Sequence, residues 1–186
     1  MSWMVTEQSG KGSLAETDVL AQLDNIWAQQ GPVGYPFEDV YKEHAKAIII
    51  HAHRSQLLAN STANREAFKV ELPSGDVKFI VDQIIKLDDG TEMLRRTRTG
   101  RISKSEKEKN IYALYQSVAS AKVEILSLSS GVTEPVLLSS KVVKTRLDRY
   151  DEAIRGITEK RFDPQPSDRI CPRCPFYFVC TSNDHI

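Results

Sequence analysis

The sequence has no excess of either charge, since its 25 lysine and arginine residues are matched by 25 aspartate and glutamate residues. A protein without a net field must hold nucleic acid through local basic patches. The sequence also lacks any apolar run of about 18 residues, the length that a membrane-spanning helix needs. Its first residues lack the charged-then-apolar order of a signal peptide. We therefore expect a cytoplasmic protein without a membrane partner.

Cysteine is scarce as well, with 3 cysteines in 186 residues, at positions 171, 174 and 180. An odd number so close together excludes the disulfide framework of a small secreted domain and favours a metal site in a reducing compartment. Their spacing lets Cys171 and Cys174 point at one ion from a single turn, and lets the chain swing round to present Cys180. His185 is a candidate fourth ligand for zinc, and ordinary buried thiols are the alternative interpretation.

The length and composition indicate one well-filled core rather than two domains. We assign residues 1–13 to a flexible N-terminal segment and residues 14–186 to a single domain that ends in a cysteine motif at 162–180. His51 and His53 are two residues apart on a predicted helix and should point to different faces, so we expect core or surface histidines rather than metal ligands.

Periodicity predicts helices at both ends of the chain and strands between them. The predicted elements are helices at 17–30 and about 38–59, a meander of strands at 68–73, 77–87 and 91–99, a helix at about 104–120 that opens on a capping box, a strand pair around Gly131, and a helix at about 141–160. This order is typical of an α/β layout with a mixed sheet.

Two stretches carry a resemblance to a known family. RFDPQPSDRICPRCPFYFVC and EAFKVELPSGDVKFIVDQIIKLDDGTEMLRRTRTG resemble the motifs of the RecB-like and AddB-like branch of the PD-(D/E)XK nucleases, which includes CRISPR-associated nucleases and the nuclease modules of UvrD-type helicases. The resemblance implies a restriction-endonuclease-like core, with a mixed central β-sheet flanked by α-helices. It also implies a four-iron, four-sulfur cluster held by the three cysteines and a fourth, upstream cysteine. This chain has no upstream cysteine, so we expect the cluster in the complete protein and an incomplete, empty or zinc-filled site here.

The family's catalytic positions are altered in this chain. The resemblance places Glu66 at the early glutamate and Asp82 at the first metal-binding aspartate, both as vestigial residues. Arg96 stands at the second carboxylate and Arg98 at the lysine. A guanidinium in place of a carboxylate repels Mg²⁺, so we expect no magnesium site. If the DG turn closes a tight hairpin, Asp82 lies opposite the arginines and should pair with one of them.

The same strand and the loop after it are rich in cations that suit phosphate, because arginine binds phosphate through two parallel hydrogen bonds. The predicted DNA-binding residues are Arg95, Arg96, Arg98, Arg101, Lys104 and Tyr115. The alternative interpretation is a charged strand edge that discourages aggregation.

The sequence therefore predicts a DNA-binding, catalytically inactive RecB-like domain of a helicase–nuclease system for DNA repair or recombination. Single-stranded DNA and a helicase domain or partner subunit are the expected partners, and any ATPase activity would lie outside this chain. One alternative is an active metal-dependent exonuclease that uses displaced acids, Asp82 with Glu92. Another is a structural or protein-interaction module without DNA binding.

Overall fold

The structure is a computed structural model that describes residues 14–58, 61–63, 67–118, 122–161, 167, 169, 171–174 and 180. The predictions for residues 1–13, Glu66 and His185 lie outside the described residues, as does most of the 162–180 motif. The elements follow in this order: helices α1 (Glu16–Gln30) and α2 (Glu38–Arg54), strands β1 (Ser61–Ala63), β2 (Phe68–Leu72), β3 (Gly75–Phe79), β4 (Gln83–Lys86) and β5 (Glu92–Arg98), helices α3 (Lys104–Lys107) and α4 (Ile111–Val118), strands β6 (Lys122–Ser127) and β7 (Thr133–Pro135), helix α5 (Ser140–Thr158), and a 3₁₀ turn (Cys171–Arg173).

Helix α2 ends five residues before the predicted boundary at 59, because its last turn closes in a Schellman motif. Gln56 adopts the left-handed conformation, with φ 50°. The backbone N–H of Leu57 then donates to the carbonyl of Ala52, and that of Gln56 donates to the carbonyl of His53. These bonds satisfy carbonyls at the helix end without a glycine, the residue that usually marks such a stop.

The strand predicted at 77–87 is two strands in two different sheets. Val77, Phe79 and Val81, at odd-numbered positions, pack in one core cluster. Beyond the bend at Asp82, the even-numbered residue Ile84 packs against the same cluster. The alternation therefore shifts by one residue at Asp82. Hydrophobic periodicity records which side of a strand is buried and not which strand it pairs with, so it did not reveal this break.

Five strands among the described residues form a mixed sheet in the order β1-β4-β5-β6-β7. β5 and β6 are parallel, and the other neighbours are antiparallel. β2 and β3 form a separate hairpin, which is tied to α5 by a 2.7 Å hydrogen bond from the backbone N–H of Ser74 to the carboxylate of Asp151. The predicted three-stranded meander is therefore wrong, whereas the mixed sheet is confirmed.

The chain between β5 and β6 forms two short helices where one helix was predicted. Ser103 caps α3 as expected, since its hydroxyl accepts a 3.1 Å hydrogen bond from the backbone N–H of Glu106. The reciprocal half of a capping box is missing, because the Glu106 side chain turns toward β5 instead. This turn of the Glu106 side chain places a carboxylate beneath the end of β5.

Helices cover both faces of the sheet, so the protein has an α/β fold. On one face, residues of β5, β6, the β3 region and α4 form a core that includes Phe79, Leu94, Tyr112, Tyr115 and Ile125, with Leu147 and Tyr150 of α5 packed against it. On the other face, α1 and α2 contribute Val19, Ile48 and Ala52 to a second core that includes Leu126 and Leu128. Among the described helices, none is long and apolar enough to cross a membrane.

Candidate nucleic-acid interface

Asp82 lies beside the arginine-rich end of β5, as the predicted hairpin requires. β4 and β5 pair with Gln83 opposite Arg95, which leaves Asp82 next to Arg96 at the bend. Its carboxylate accepts a 2.7 Å hydrogen bond from the backbone N–H of Thr97, and among the described residues it forms no ion pair with an arginine. The predicted arginine partner is therefore wrong. The pairing of β4 with β5 ends at Asp82, so the Asp82 side chain, rather than a backbone carbonyl of β4, accepts the hydrogen bond from Thr97.

Arg95 points to the other face of the sheet from Arg96 and Arg98, because side chains alternate along a strand. There it forms an ion pair with Glu124, and each of the two side chains is only 11–13% exposed. Its guanidinium also donates to the backbone carbonyl of Leu57 at 3.1 Å. The prediction that Arg95 binds DNA is therefore wrong, since its charge is neutralised inside the protein.

Arg96 and Arg98 converge on Glu106 of α3. Two nitrogens of Arg98, Nε and Nη2, donate to Glu106 Oε1 at 2.9 and 2.7 Å, and Nε of Arg96 is 3.6 Å from the same oxygen. Lys109 donates to Oε2 at 2.5 Å, and the hydroxyl of Tyr112 donates to Oε1 at 2.9 Å. We call these five side chains, Arg96, Arg98, Glu106, Lys109 and Tyr112, the Glu106 cluster.

The Glu106 cluster keeps its carboxylate ionised although the residue is buried. Burial by itself would raise the pKa of Glu106, but the hydrogen bonds from Lys109, Arg98 and Tyr112 outweigh it and lower the pKa from 4.5 to about 2. The pKa of the Tyr112 hydroxyl is raised, first by burial and then by its hydrogen bond to Glu106. Glu106 therefore stays negatively charged across the whole physiological pH range.

Arg96 is held among tyrosines. Its guanidinium carbon lies 5.9 Å from the ring centroid of Tyr112, a cation–π distance, and its charge also acts on the hydroxyls of Tyr115 and Tyr150. Tyr115 itself is only 1% exposed. Its ring stacks on Phe79, and its hydroxyl donates to the Ile80 carbonyl at 3.4 Å. The prediction that Tyr115 contacts DNA is therefore wrong, because the side chain is part of the core.

Arg101 and Lys104 follow directly after β5 and are both exposed. Neither has an ion-pair partner in the part of the chain that the structure describes. The predicted DNA surface is thereby reduced to Arg96, Arg98, Arg101 and Lys104, with Lys109 added. Three of these five side chains, Arg96, Arg98 and Lys109, pair with the carboxylate of Glu106.

Glu92 does not join Asp82 in a second acidic site. The strand register pairs Glu92 with Lys86, whereas Asp82 lies beyond Gln83 at the other end of β4. Four residues separate Glu92 from Arg96, which is about 13 Å along an extended strand. The sequence-based alternative in which these two acids share a metal ion is therefore not supported by the geometry.

The first two cysteines lie at the two ends of one short turn, as the C-x2-C spacing predicts. The backbone N–H of Cys174 donates to the Cys171 carbonyl at 3.0 Å, and Cys171 Sγ accepts from the backbone N–H of Ser167 at 3.1 Å. All three cysteines are free thiols and partly buried. Within the described residues, however, no group of three or more cysteine, histidine or acidic side chains is arranged to hold a metal. The iron–sulfur cluster of the complete protein and the empty or zinc-filled site of this chain both stay predictions.

His51 and His53 were predicted to be structural. His51 Nε2 and His53 Nδ1 are buried without a hydrogen-bond partner among the described atoms. His51 Nε2 lies 3.4 Å from the position that a Cβ on Gly131 would occupy, against the β6–β7 turn. The two histidines therefore lie on the side of the sheet away from the Glu106 cluster, with the core of α1 and α2.

No protein-family model matches this chain, and no curated protein matches it. Among solved structures, the chain is similar to the one described as "Crystal structure of SSO0001", with 15% sequence identity and a TM-score of 0.41 over 92% of this chain and 87% of that chain. A similarity this low does not indicate an activity.

Glu106 should make the stability of the protein sensitive to acid. Its pKa in the folded protein, about 2, is below the usual 4.5, so its contribution to the free energy of unfolding is present above about pH 4.5 and is lost as the pH falls toward 2. We expect Glu106→Ala to lower the free energy of unfolding at pH 7 by about 2–4 kcal/mol, because it leaves the arginines without their carboxylate.

Urea unfolding at several pH values between 3 and 7 measures both effects. Glu108→Ala is the matched control, since Glu108 is an exposed carboxylate two residues away. An equal loss of stability in both variants, or the same acid dependence in Glu106→Ala as in the parent, would show that the cluster does not stabilise the fold.

Proposed function

We propose that this chain is a catalytically inactive relative of the RecB-like PD-(D/E)XK nucleases that binds single-stranded DNA. One observation carries the proposal: where the family's second carboxylate and lysine would stand, Arg96 and Arg98 converge with Lys109 on the single carboxylate of Glu106. Three cations that share one carboxylate form a site for anions.

The chemistry of such a site differs from that of a nuclease centre. A hydrolytic centre needs carboxylates that hold a metal ion, which polarises the scissile phosphate and lowers the pKa of the attacking water. Here the Tyr112 ring and Glu106 hold the guanidiniums beside Asp82. The positive charge of Arg96 and Arg98 repels a divalent cation and attracts the phosphates of the bound DNA instead.

The exposed cations next to the cluster extend the surface along the loop after β5. Arg101 and Lys104 are free to contact phosphate, and the side chains of Arg98 and Lys109 are 31% and 46% exposed. Each phosphate contact releases a counterion, so binding should weaken as salt rises. In the proposed setting, a cytoplasmic helicase–nuclease assembly for DNA repair or recombination, the domain holds a DNA strand while partner subunits act on it.

The first test of this function is the absence of cleavage. We expect no metal-dependent hydrolysis of single- or double-stranded DNA in Mg²⁺ or Mn²⁺, because guanidiniums stand at the positions of the acid and the lysine. Gel analysis of labelled DNA after long incubation gives the measurement. Cleavage that disappears in Asp82→Ala would contradict the proposal and support an active nuclease.

The second test concerns the DNA surface. Arg101→Gln/Lys104→Gln should weaken single-stranded DNA binding and reduce the slope of log affinity against log salt by about two units, roughly one for each lost phosphate contact. The thermal melt should not change, because both side chains are exposed. These residues are a cleaner test than Arg96 and Arg98, whose replacement would also disturb the Glu106 cluster.

The matched control is Lys78→Gln/Lys86→Gln, which removes the same charge from two exposed lysines on β3 and β4. Fluorescence anisotropy with a labelled oligonucleotide measures affinity for all three proteins. If both double variants lose affinity equally, the binding follows net charge, and the surface after β5 has no special part in it.

A protein-interaction module is the second candidate, and a cluster of exposed apolar side chains favours it. The loop between α1 and α2 and the first turn of α2 expose Val33, Tyr35, Phe37, Val40 and Tyr41 by 55–74%. Glu38 holds this loop in place, because its carboxylate accepts from Trp27 Nε1 at 3.0 Å and from the Gly34 backbone N–H at 2.6 Å. DNA binding that is absent, or insensitive to salt, would favour this candidate over the first.

A further inference from the structure

The Glu106 carboxylate is surrounded by hydrogen-bond donors, and we call the space that it fills among them the Glu106 pocket. Arg98, Lys109 and Tyr112 donate to it, and Nε of Arg96 is 3.6 Å away. Three cations around one monovalent carboxylate leave a positive excess. A phosphate monoester has three non-bridging acceptor oxygens and a charge of about −1.5 to −2 at neutral pH, whereas a phosphodiester has two such oxygens and one negative charge, like a carboxylate. A terminal phosphate therefore matches this set of donors better than a carboxylate does, and an internal phosphodiester matches it about equally well.

The three cationic donors are more exposed than the carboxylate, whereas the fourth donor, Tyr112, is buried. The side chains of Arg96, Arg98 and Lys109 are 23%, 31% and 46% exposed, but that of Glu106 is only 11% exposed. An anion that arrives from solvent meets the guanidiniums and the ammonium group before it meets Glu106. The cations are thus accessible to a phosphate from solvent, while the carboxylate that they surround is largely buried.

The segment that carries Glu106 is held to the sheet mainly by side-chain contacts. Helix α3 has 4 residues, and a single helical turn is unstable by itself. The hydroxyl of Ser103 caps it, and Lys107 forms an ion pair with Glu134 of β7. The contacts of Glu106 are a further part of this hold, so an anion that replaces its carboxylate would loosen α3 without breaking the Lys107–Glu134 pair.

We propose that the pocket formed by Arg96, Arg98, Lys109 and Tyr112 is a phosphate-binding site, and that Glu106 occupies it in the free protein and is displaced by a phosphate of the DNA. This inference rests on the proposed DNA binding and adds its regulation: the strand competes with an internal carboxylate. A phosphate at a strand end and a phosphodiester within the strand can both accept hydrogen bonds from these donors, but only the terminal group exceeds the carboxylate in charge and in acceptor oxygens.

The experiment compares single-stranded DNA binding by the parent protein, Glu106→Gln, Glu106→Asp and Glu108→Gln. Glu106→Gln should raise the affinity by about three- to tenfold and steepen the salt dependence by roughly one unit, because the donors are released for phosphate. Glu108→Gln makes the same change of net charge outside the pocket and should alter the affinity by less than about twofold. Glu106→Asp keeps the charge but shortens the side chain, and it should also raise the affinity.

Oligonucleotides with a 5′-phosphate or a 5′-hydroxyl distinguish the two sources of phosphate. A greater gain for the 5′-phosphate strand in Glu106→Gln assigns the pocket to a strand end, and an equal gain assigns it to internal phosphodiesters. Inorganic phosphate, at constant ionic strength with chloride, should raise the melting temperature of Glu106→Gln more than that of the parent.

The proposal is overturned if folded Glu106→Gln and Glu106→Asp bind DNA no better than the parent, or if Glu108→Gln gains as much as Glu106→Gln. If Glu106→Gln does not fold, Glu106→Asp decides alone, because its net charge equals that of the parent. DNA binding that is lost in Arg101→Gln/Lys104→Gln but unchanged in the Glu106 variants would leave the proposed function standing without the displacement. A parent protein that binds no DNA at any salt concentration would contradict both the proposed DNA binding and the displacement of Glu106.

Discussion

The carboxylate of Glu106 joins three parts of the molecule that are separate in the sequence. It belongs to α3, it accepts hydrogen bonds from Arg98 on β5 and from Tyr112 on α4, and it lies close to Arg96. Glu106 can be buried here because strong donors surround it, and two partly exposed arginines can lie beside a tyrosine-rich core because the acid is there. Removing either side would leave uncompensated charge next to Leu94 and Tyr115.

The same interaction sets the charge of the site. The face of β5 that carries Leu94 and the arginines meets α4, and the bend at Asp82 brings a second carboxylate to the edge of that face. One oxygen of Asp82 accepts a hydrogen bond from a backbone amide, and Glu106 pairs with cations. In the proposed function, the exposed nitrogen atoms and the neighbouring Arg101 and Lys104 attract phosphate.

Local sequence signals predicted most of the helices and strands, the hairpin turn between β4 and β5, the mixed sheet and the proximity of Asp82 to Arg96, but they did not predict the short strand β1. Each of these follows from short-range patterning, which is strong where burial alternates regularly. The break at Asp82 was not predictable, because the alternation shifts by one residue without any glycine or proline. The early end of α2 was missed for a similar reason, since Gln56 takes the conformation that a glycine usually marks.

The site was harder to predict because it depends on tertiary contacts. Six DNA-binding residues were predicted along one chain segment and a following helix, but alternation puts Arg95 on the opposite face, and packing buries Tyr115. Glu106 was recognised as part of a capping box, yet its role as the counter-ion of Arg96 and Arg98 was not. A signal was present, since several arginines on one half-buried strand require a carboxylate nearby, but its position could not be inferred before the path of the loop was known.

Direct binding of phosphate by cations and binding through a bridging metal differ in their need for a divalent cation. Titration of the protein with single-stranded DNA in EDTA, and again in Ca²⁺ at matched ionic strength, distinguishes them, because Ca²⁺ occupies oxygen-ligand sites. If the cations bind phosphate directly, the affinity in EDTA falls with salt and Ca²⁺ does not strengthen it. Binding that requires Ca²⁺, or is strengthened severalfold by it, would show that a metal site is present and that the proposed phosphate surface is wrong.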